Sequence, residues 1–134
     1  KGAAAIASTL AAELYGLKII YANIEDNANN ITRFFVIGRE PAKITGDDKT
    51  SVVFTTKDEP GALVSVLHAF RREGINMSFI QSRPSKKRNW EYYFFGDLKG
   101  HQHEAQLQNA IAAARAHCLQ LNVLGSYPRA TEVF

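Results

Sequence analysis

Cysteine is almost absent. The chain has 134 residues and one cysteine, Cys118. That excludes an internal disulfide and gives no cysteine spacing for a metal. Set in an apolar run, Cys118 reads as a buried, inert thiol. Long hydrophobic runs are missing too, and none could cross a bilayer. The alanine-rich opening, Lys1 to Ile6, is not a signal peptide, because it runs directly into an amphipathic helical pattern. The expected compartment is the cytoplasm. There is no initiator Met, and the chain opens in what reads as mid-helix, so a longer parent protein is expected. An excess of charge is also lacking: the net charge is +3, and the basic residues are scattered apart from Arg71-Arg72 and Lys86-Lys87-Arg88. A helix end and a loop tip would solvate those clusters, and a nucleic-acid footprint would be larger and more focused. Of the four histidines, His101 and His103 have metal-like spacing but no third ligand nearby, so they read as a loop and a helix start. His68 and His117 read as exposed helix positions. No metal or cofactor is expected.

What is present suits a globular chain. A hydrophobic share of 46% with 22% charged residues supplies enough apolar material for a core. Ile6, Leu10 and Leu14 recur at four-residue spacing, which predicts a tightly packed helix ending near Gly16. Leu17 to Ile20 and Arg33 to Ile37 read as short strands around a polar loop. Residues 40–49 read as a linker, with Pro41 and Gly46 inside it. Ser51 to Thr56 then reads as a strand. Asp58 is placed to cap a helix with Pro60 in its first turn and with Leu63, Val66, Leu67 and Phe70 on one face. Ile75 to Arg83 and Trp90 to Leu98 read as strands around a basic loop. Leu107, Ala110, Ile111 and Ala114 mark a second helix, and Cys118 to Tyr127 a last strand. The order β-α-β-β-α-β is the ferredoxin-like split unit, an α+β architecture with both helices on one sheet face.

The other sheet face is expected to be sticky. Tyr93 and Phe95 point away from Trp90, Tyr92 and Phe94, and Ile75, Met77 and Phe79 alternate with Asn76, Ser78 and Ile80. A sheet wetted on one side should alternate apolar with polar residues. This one is apolar on both sides in places, which predicts a covering partner subunit.

Two sets of segments carry chemistry. At a loop-to-strand junction, Asn30-Ile31-Thr32-Arg33-Phe34 sets a hydroxyl, a guanidinium and a ring in succession. Arg suits a carboxylate because its fork matches both oxygens. Asn-Ile-Thr also fits a glycosylation sequon, a coincidence in a chain without a secretion signal. Further on, Gly61-Ala62-Leu63-Val64 opens a helix and Gln81-Ser82-Arg83-Pro84 ends a strand. Helix starts and strand ends leave backbone groups free to meet a ligand.

These segments also resemble a known family. Ala4 to Ser8, Ala11 to Leu17, Ile24-Glu25-Asp26 and Asn30 to Phe34 are similar, in order and spacing, to the closing part of the prephenate dehydratase catalytic domain. Gly61 to Val64, Ile75 to Met77, Ser82 to Pro84, Tyr93 to Phe95, Gly100-His101 and Val123 to Pro128 resemble the ACT regulatory domain of the same enzymes. The resemblance implies a division into residues 1–39 (end of a two-lobed, periplasmic-binding-protein-like α/β catalytic domain), 40–49 (linker), 50–129 (ACT domain) and 130–134 (tail). It implies that the parent converts prephenate to phenylpyruvate with loss of water and carbon dioxide, and that Thr32, Arg33 and Phe34 belong to the catalytic site. A Thr hydroxyl is too weak an acid to match a neutral working pH. Thr32 is therefore cast as a positioned hydrogen-bond donor to the leaving oxygen; Arg33 either anchors a carboxylate or holds the loop. Most of both lobes would precede Lys1, so the chain alone is expected to be inactive.

For the ACT domain the resemblance implies L-phenylalanine as regulatory ligand, bound between two copies. Gly61, Ala62, Leu63 and Val64 would offer backbone N–H groups and the positive end of a helix dipole. Asn76 would present a carbonyl to the ammonium group, while Leu63, Val64 and Met77 would wall the ring. The Gln81, Ser82, Arg83, Pro84 segment departs from the family pattern, which has Glu in place of Gln81. The rival readings are an ACT module of an unrelated enzyme and an RNA-recognition domain. Thr32-Arg33-Phe34 speaks against the first. Against the second, Glu91 to Phe95 is acidic at its start and lacks the glycine of the RNA-binding motif.

Overall fold

A computed structural model describes residues 2–27, 33–85 and 92–130. The chain divides into two compact units, residues 1–36 and 37–134.

Among the described residues of the first unit the one regular element is the helix α1, Thr9–Leu14. Ser8 caps it by accepting from the Ala11 N–H at 3.2 Å. At its other end Gly16 takes a left-handed φ of 60°. There the Leu17 N–H reaches the Ala12 carbonyl and the Gly16 N–H reaches that of Glu13, a Schellman closure that suits a glycine. The helix stops where the sequence predicts but starts three residues later than Ile6, because Ser8 can cap and Ile6 cannot. Its expected tight packing is not met within the unit: Ile6, Leu10 and Leu14 are all exposed. The expected strands at Leu17 to Ile20 and Arg33 to Ile37 are irregular backbone instead. A strand needs a neighbouring edge, and the described part of this unit holds none. The Arg33 guanidinium lies 4.8 Å from the centre of the Phe35 ring, a cation–π contact, while Phe34 is exposed. Asn30 to Thr32 lie outside the described residues.

The second unit has the expected β-α-β-β-α-β order: β1 Asp48–Thr55, α2 Ala62–Arg72, β2 Met77–Pro84, β3 Tyr92–Lys99, α3 Ala105–Arg115 and β4 Gln120–Pro128. The sheet is antiparallel, ordered β2-β3-β1-β4. Val52 and Phe54 of β1, Leu98 of β3 and Leu121 of β4 share one core with Val66, Ala69 and Phe70 of α2 and Leu107, Ala110, Ile111 and Ala114 of α3. Both helices therefore cover the same face, as the periodicity predicts. No helix among the described residues is long and apolar enough to cross a membrane.

Two strand details differ from simple alternation. The β2–β3 register shifts between Met77 and Phe79, with Met77 opposite Leu98 and Phe79 opposite Asp97. Met77 therefore packs on the core, while Phe79 sits on the helix-free face; a bulge moves one residue to the other side. The β1–β4 register shifts between Ser51 and Val52, leaving Leu124 exposed. The helix-free face carries Val53, Tyr93, Phe95 and Phe79, all half-buried, beside a buried polar cluster. There the Ser51 hydroxyl donates to Asp97 Oδ1 at 2.7 Å and lies 2.8 Å from the Tyr127 hydroxyl. Trp90 lies outside the described residues. Cys118 is half-buried just before β4, and burial pushes its thiol up to about 11.

The stretch expected to be a linker is built into this unit. The Asp48 carboxylate accepts from the Thr45 hydroxyl at 2.7 Å and from the N–H groups of Thr45 and Gly46 at 2.8 and 3.1 Å. Asp47 pairs with Arg129 at 2.8 Å. The Thr45 hydroxyl is the main cause holding Asp48 below the ordinary carboxylate range; burial opposes it, and the two N–H groups and nearby His101 reinforce it. A lowered carboxylate stabilises the fold above its unfolded value and ceases to do so as pH falls through the folded one. Urea midpoints of the chain are therefore expected to fall with acidification below the ordinary carboxylate range. Asp48→Asn should be less stable at neutral pH and have a flatter acid limb. Identical acid limbs for the two proteins would contradict this account.

Candidate ligand site at the start of the second helix

The turn into α2 differs from the predicted one. Asp58 does not cap the helix. The N-cap is Gly61, with φ 82° and ψ −3°, and no side chain caps the first turn. The Ala62 N–H closes a turn onto the Glu59 carbonyl at 3.2 Å, and the Ser65 N–H opens the helical ladder onto Gly61 at 2.9 Å. Leu63 and Val64 between them present first-turn N–H groups without a side-chain partner. A left-handed residue costs glycine little, which explains why glycine stands at this bend.

A recess of about 330 Å³ lies against this helix start. Its floor holds Phe94, stacked on Phe54 of the core with ring centres 5.3 Å apart. Its walls are Leu63, Val64, Tyr92 and Leu119, and its rim carries Lys57, Asp58 and Glu59. Apolar walls, charges of both signs and open N–H groups are what a free amino acid requires. A second recess of about 320 Å³ lies between α2 and α3, lined by Ser65, His68, Arg72, Glu73 and His117 with only Ala69 and Ala113 as apolar lining. It offers no wall for a ring, so the recess at Gly61 is the better candidate.

The sequence-predicted residues divide into three groups. Gly61, Ala62, Leu63 and Val64 all line the recess. Ser82 and Pro84 pair with Phe94 and Tyr92 across β3, so they share the recess side of the sheet one strand away. Gln81 and Arg83 pair with Phe95 and Tyr93, so they point to the helix-free face. Asn76 precedes β2 and lends its carbonyl to the Lys99 N–H at 2.8 Å. Met77 packs on the core rather than walling the recess. Within one chain, Asn76, Met77, Gln81 and Arg83 stand apart from the recess at Gly61. Lys57, Asp58, Glu59, Tyr92, Phe94 and Leu119 were not among the expected site residues. Adjacency of the 56–59 turn to Gly61 in sequence could have suggested the first three; the rings come near only through sheet pairing.

Comparison with known proteins places these features. A prephenate dehydratase family model matches residues 1–42, and an ACT domain model matches residues 50–116. The bifunctional chorismate mutase/prephenate dehydratase of Aquifex aeolicus is 49% identical over 128 residues, covering 96% of this chain and 35% of that protein. Arogenate dehydratase 2 of Petunia hybrida is 37% identical over 145 residues, covering 96% of this chain and 36% of that protein. The crystal structure of prephenate dehydratase from Arthrobacter aurescens in complex with L-Phe superposes with a TM-score of 0.61 at 36% identity, over 67% of this chain and 30% of that one. The chain thus spans about a third of the length of the curated relatives it matches, at their C-terminal part. With a catalytic-domain match leading into an ACT domain, in the order its motifs predict, the chain belongs to the prephenate dehydratase family.

Proposed function

We propose that this chain is the phenylalanine-sensing part of a prephenate dehydratase, and that L-phenylalanine binds at the start of α2. The uncapped first turn beside a ring-floored recess carries the reading. A relative of the same fold crystallised with L-Phe supports it. The ligand carboxylate takes the N–H groups of Leu63 and Val64 and the positive end of the helix. Its ammonium group lies toward Asp58 and Glu59, and its ring rests on Phe94 between Tyr92 and Leu119. The segment Gln81-Ser82-Arg83-Pro84, with Asn76, completes the site from a second copy. Pairing through the half-buried aromatic face and the β2 edge couples ligand binding to dimerisation, because linkage is reciprocal.

Catalysis belongs to the whole protein, in a cytoplasmic setting. As prephenate loses its ring carboxylate, the electrons of the breaking C–C bond enter the ring and expel the C4 oxygen. Phenylpyruvate and carbon dioxide result, and the departing hydroxide takes up a proton from solvent to give water. Thr32 donates a hydrogen bond to that departing oxygen, Arg33 anchors a carboxylate or holds the loop, and Phe34 joins them at the site. The exposed stripe Ile6, Leu10 and Leu14 packs against the remainder of the catalytic domain. The alternative, an ACT module serving another aromatic amino acid enzyme, is disfavoured by the match over residues 1–42.

Calorimetry tests the ligand. Saturable heat with L-Phe is expected from the chain as it stands, with no turnover of prephenate. Gln81→Glu should tighten binding if that position works by charge, and leave it unchanged if it only accepts a hydrogen bond. No L-Phe heat from either protein would overturn the proposal.

A further inference from the structure

The recess between α2 and α3 takes no part in the proposed amino-acid chemistry, and its lining shares no residue with the recess at Gly61. Arg72 and His68 line it from α2, four residues and so about one turn apart, and His117 lines it from just beyond α3. Ala69 and Ala113 fill little of the space between, and about 320 Å³ stays open. Neither helix contains an aspartate or a glutamate, although together they carry Arg71, Arg72 and Arg115. Among the described residues, Arg72, His68 and His117 have no carboxylate partner. The helix dipoles account for arginines in the last turns. They do not account for His68 a turn earlier, nor for the hollow beside it. Glu73 is the only acid in the lining, and the Ser65 hydroxyl is engaged by the Gly61 carbonyl at 3.2 Å. No group of three His, Cys, Asp or Glu among the described residues lies close enough to hold a metal ion, so the two histidines and Glu73 are not a chelate.

We propose that this recess binds a small phosphoryl dianion, either inorganic phosphate or a phosphate monoester. The Arg72 guanidinium is a permanent cation whose fork matches two phosphoryl oxygens. Each imidazole offers an N–H to a further oxygen, even when neutral. Donors at three separate positions on two helices suit a tetrahedral oxyanion. A dicarboxylate needs a fork for each end, and Arg72 is the only arginine in the lining. A hollow of this size is at the low end of ligand pockets and exceeds what one oxyanion fills, so the Ala69 and Ala113 methyls are free to take the short apolar part of an ester. Glu73 opposes the anion by like charge and limits the affinity. The inference does not depend on what binds at Gly61.

Histidine-ring NMR on the chain as it stands tests the site, at fixed neutral pH and with ionic strength held constant by sodium chloride. Inorganic phosphate should shift the ring signals of His68 and His117 together along one saturable curve. Those of His101, which is 1% exposed, should stay in place. Arg72→Met keeps the length of the side chain but loses its charge, and should weaken phosphate binding at least about tenfold, the effect of losing a charge-assisted hydrogen bond. Glu73→Gln removes the opposing charge and should tighten binding about threefold. A purely structural role for these two residues predicts neither change. Malonate, a dianion of two planar carboxylates, should bind about tenfold more weakly than phosphate, for want of the second fork. Shifts that rise linearly with phosphate, shifts that sodium chloride reproduces, or unaltered affinity in Arg72→Met overturn the site. Malonate binding as tightly as phosphate overturns the phosphoryl assignment. If either variant does not fold, as a urea titration would show, the two anion titrations on the unaltered chain decide.

Discussion

Phe54→Ala is expected to unfold the second unit or bring it close to unfolding. Phe54 is buried near the end of β1, on the sheet face that α2 and α3 cover. Its loss removes a large side chain and leaves a cavity, at a cost of about 3–5 kcal/mol. The stack on Phe94 is worth about 0.5–1.5 kcal/mol more. A domain of this size has a total stability of about 5–15 kcal/mol, so the change takes a large part of it. At about 4–8 °C per kcal/mol the thermal midpoint should drop by tens of degrees. The recess should suffer as well, because Phe94 is its floor. Thermal unfolding followed by circular dichroism is the check. A shift of only a few degrees would show that the core closes around the gap, and that Phe54 matters less than its burial implies.

Gly61→Val should separate folding from ligand binding. At φ 82° a β-branched residue is strained, at a cost of roughly 1–3 kcal/mol. A Cβ at Gly61 would meet nothing within 4 Å, so no clash adds to that cost and the unit should still fold. The strain relaxes if the turn re-forms with negative φ, and that re-aims the N–H groups of Leu63 and Val64. L-Phe affinity is then expected to fall about 100-fold, or roughly 2.7 kcal/mol by the usual conversion. Gly61→Ala should lie between the two. The measurement is calorimetric titration with L-Phe alongside a urea midpoint for each variant. If Gly61→Val binds as tightly as the unaltered chain, the ligand does not use this turn, and the proposed site is in the wrong place.

Much of the second unit was legible in the sequence. Leu63, Val66 and Phe70, and likewise Leu107, Ile111 and Ala114, repeat at helical spacing, and that alone gave both helices and their buried faces. The alternation in β3 assigned Phe94 and Tyr93 to opposite sides correctly. The misses have specific causes. Asp58 is a good cap by type, but Gly61 adopts a conformation in which no side-chain cap is needed. The bulge opposite Asp97 depends on pairing across the sheet, which no local pattern in β2 announces. Gln81 was grouped with Gly61 by family motif, whereas the register sends it to the other face. His101 looked like an ordinary loop histidine, because its two partners are an N–H two residues away and a carbonyl 59 positions earlier. In the described part of the first unit, apolar runs without a neighbouring edge did not become strands.

The Ser51, Asp97 and Tyr127 cluster has a consequence for how the chain avoids misfolding. It joins β3, β1 and β4 through one hydroxyl, on the side of the sheet that no helix covers. Sliding β3 by one residue along β1 would turn the Asp97 carboxylate inward toward the core of Val52, Val66 and Phe70, where a charge without a partner is prohibitively costly. Apolar residues on both faces would tolerate such a slip; a single acid in that position forbids it. The greasy face can therefore meet a neighbour without endangering its own strand order.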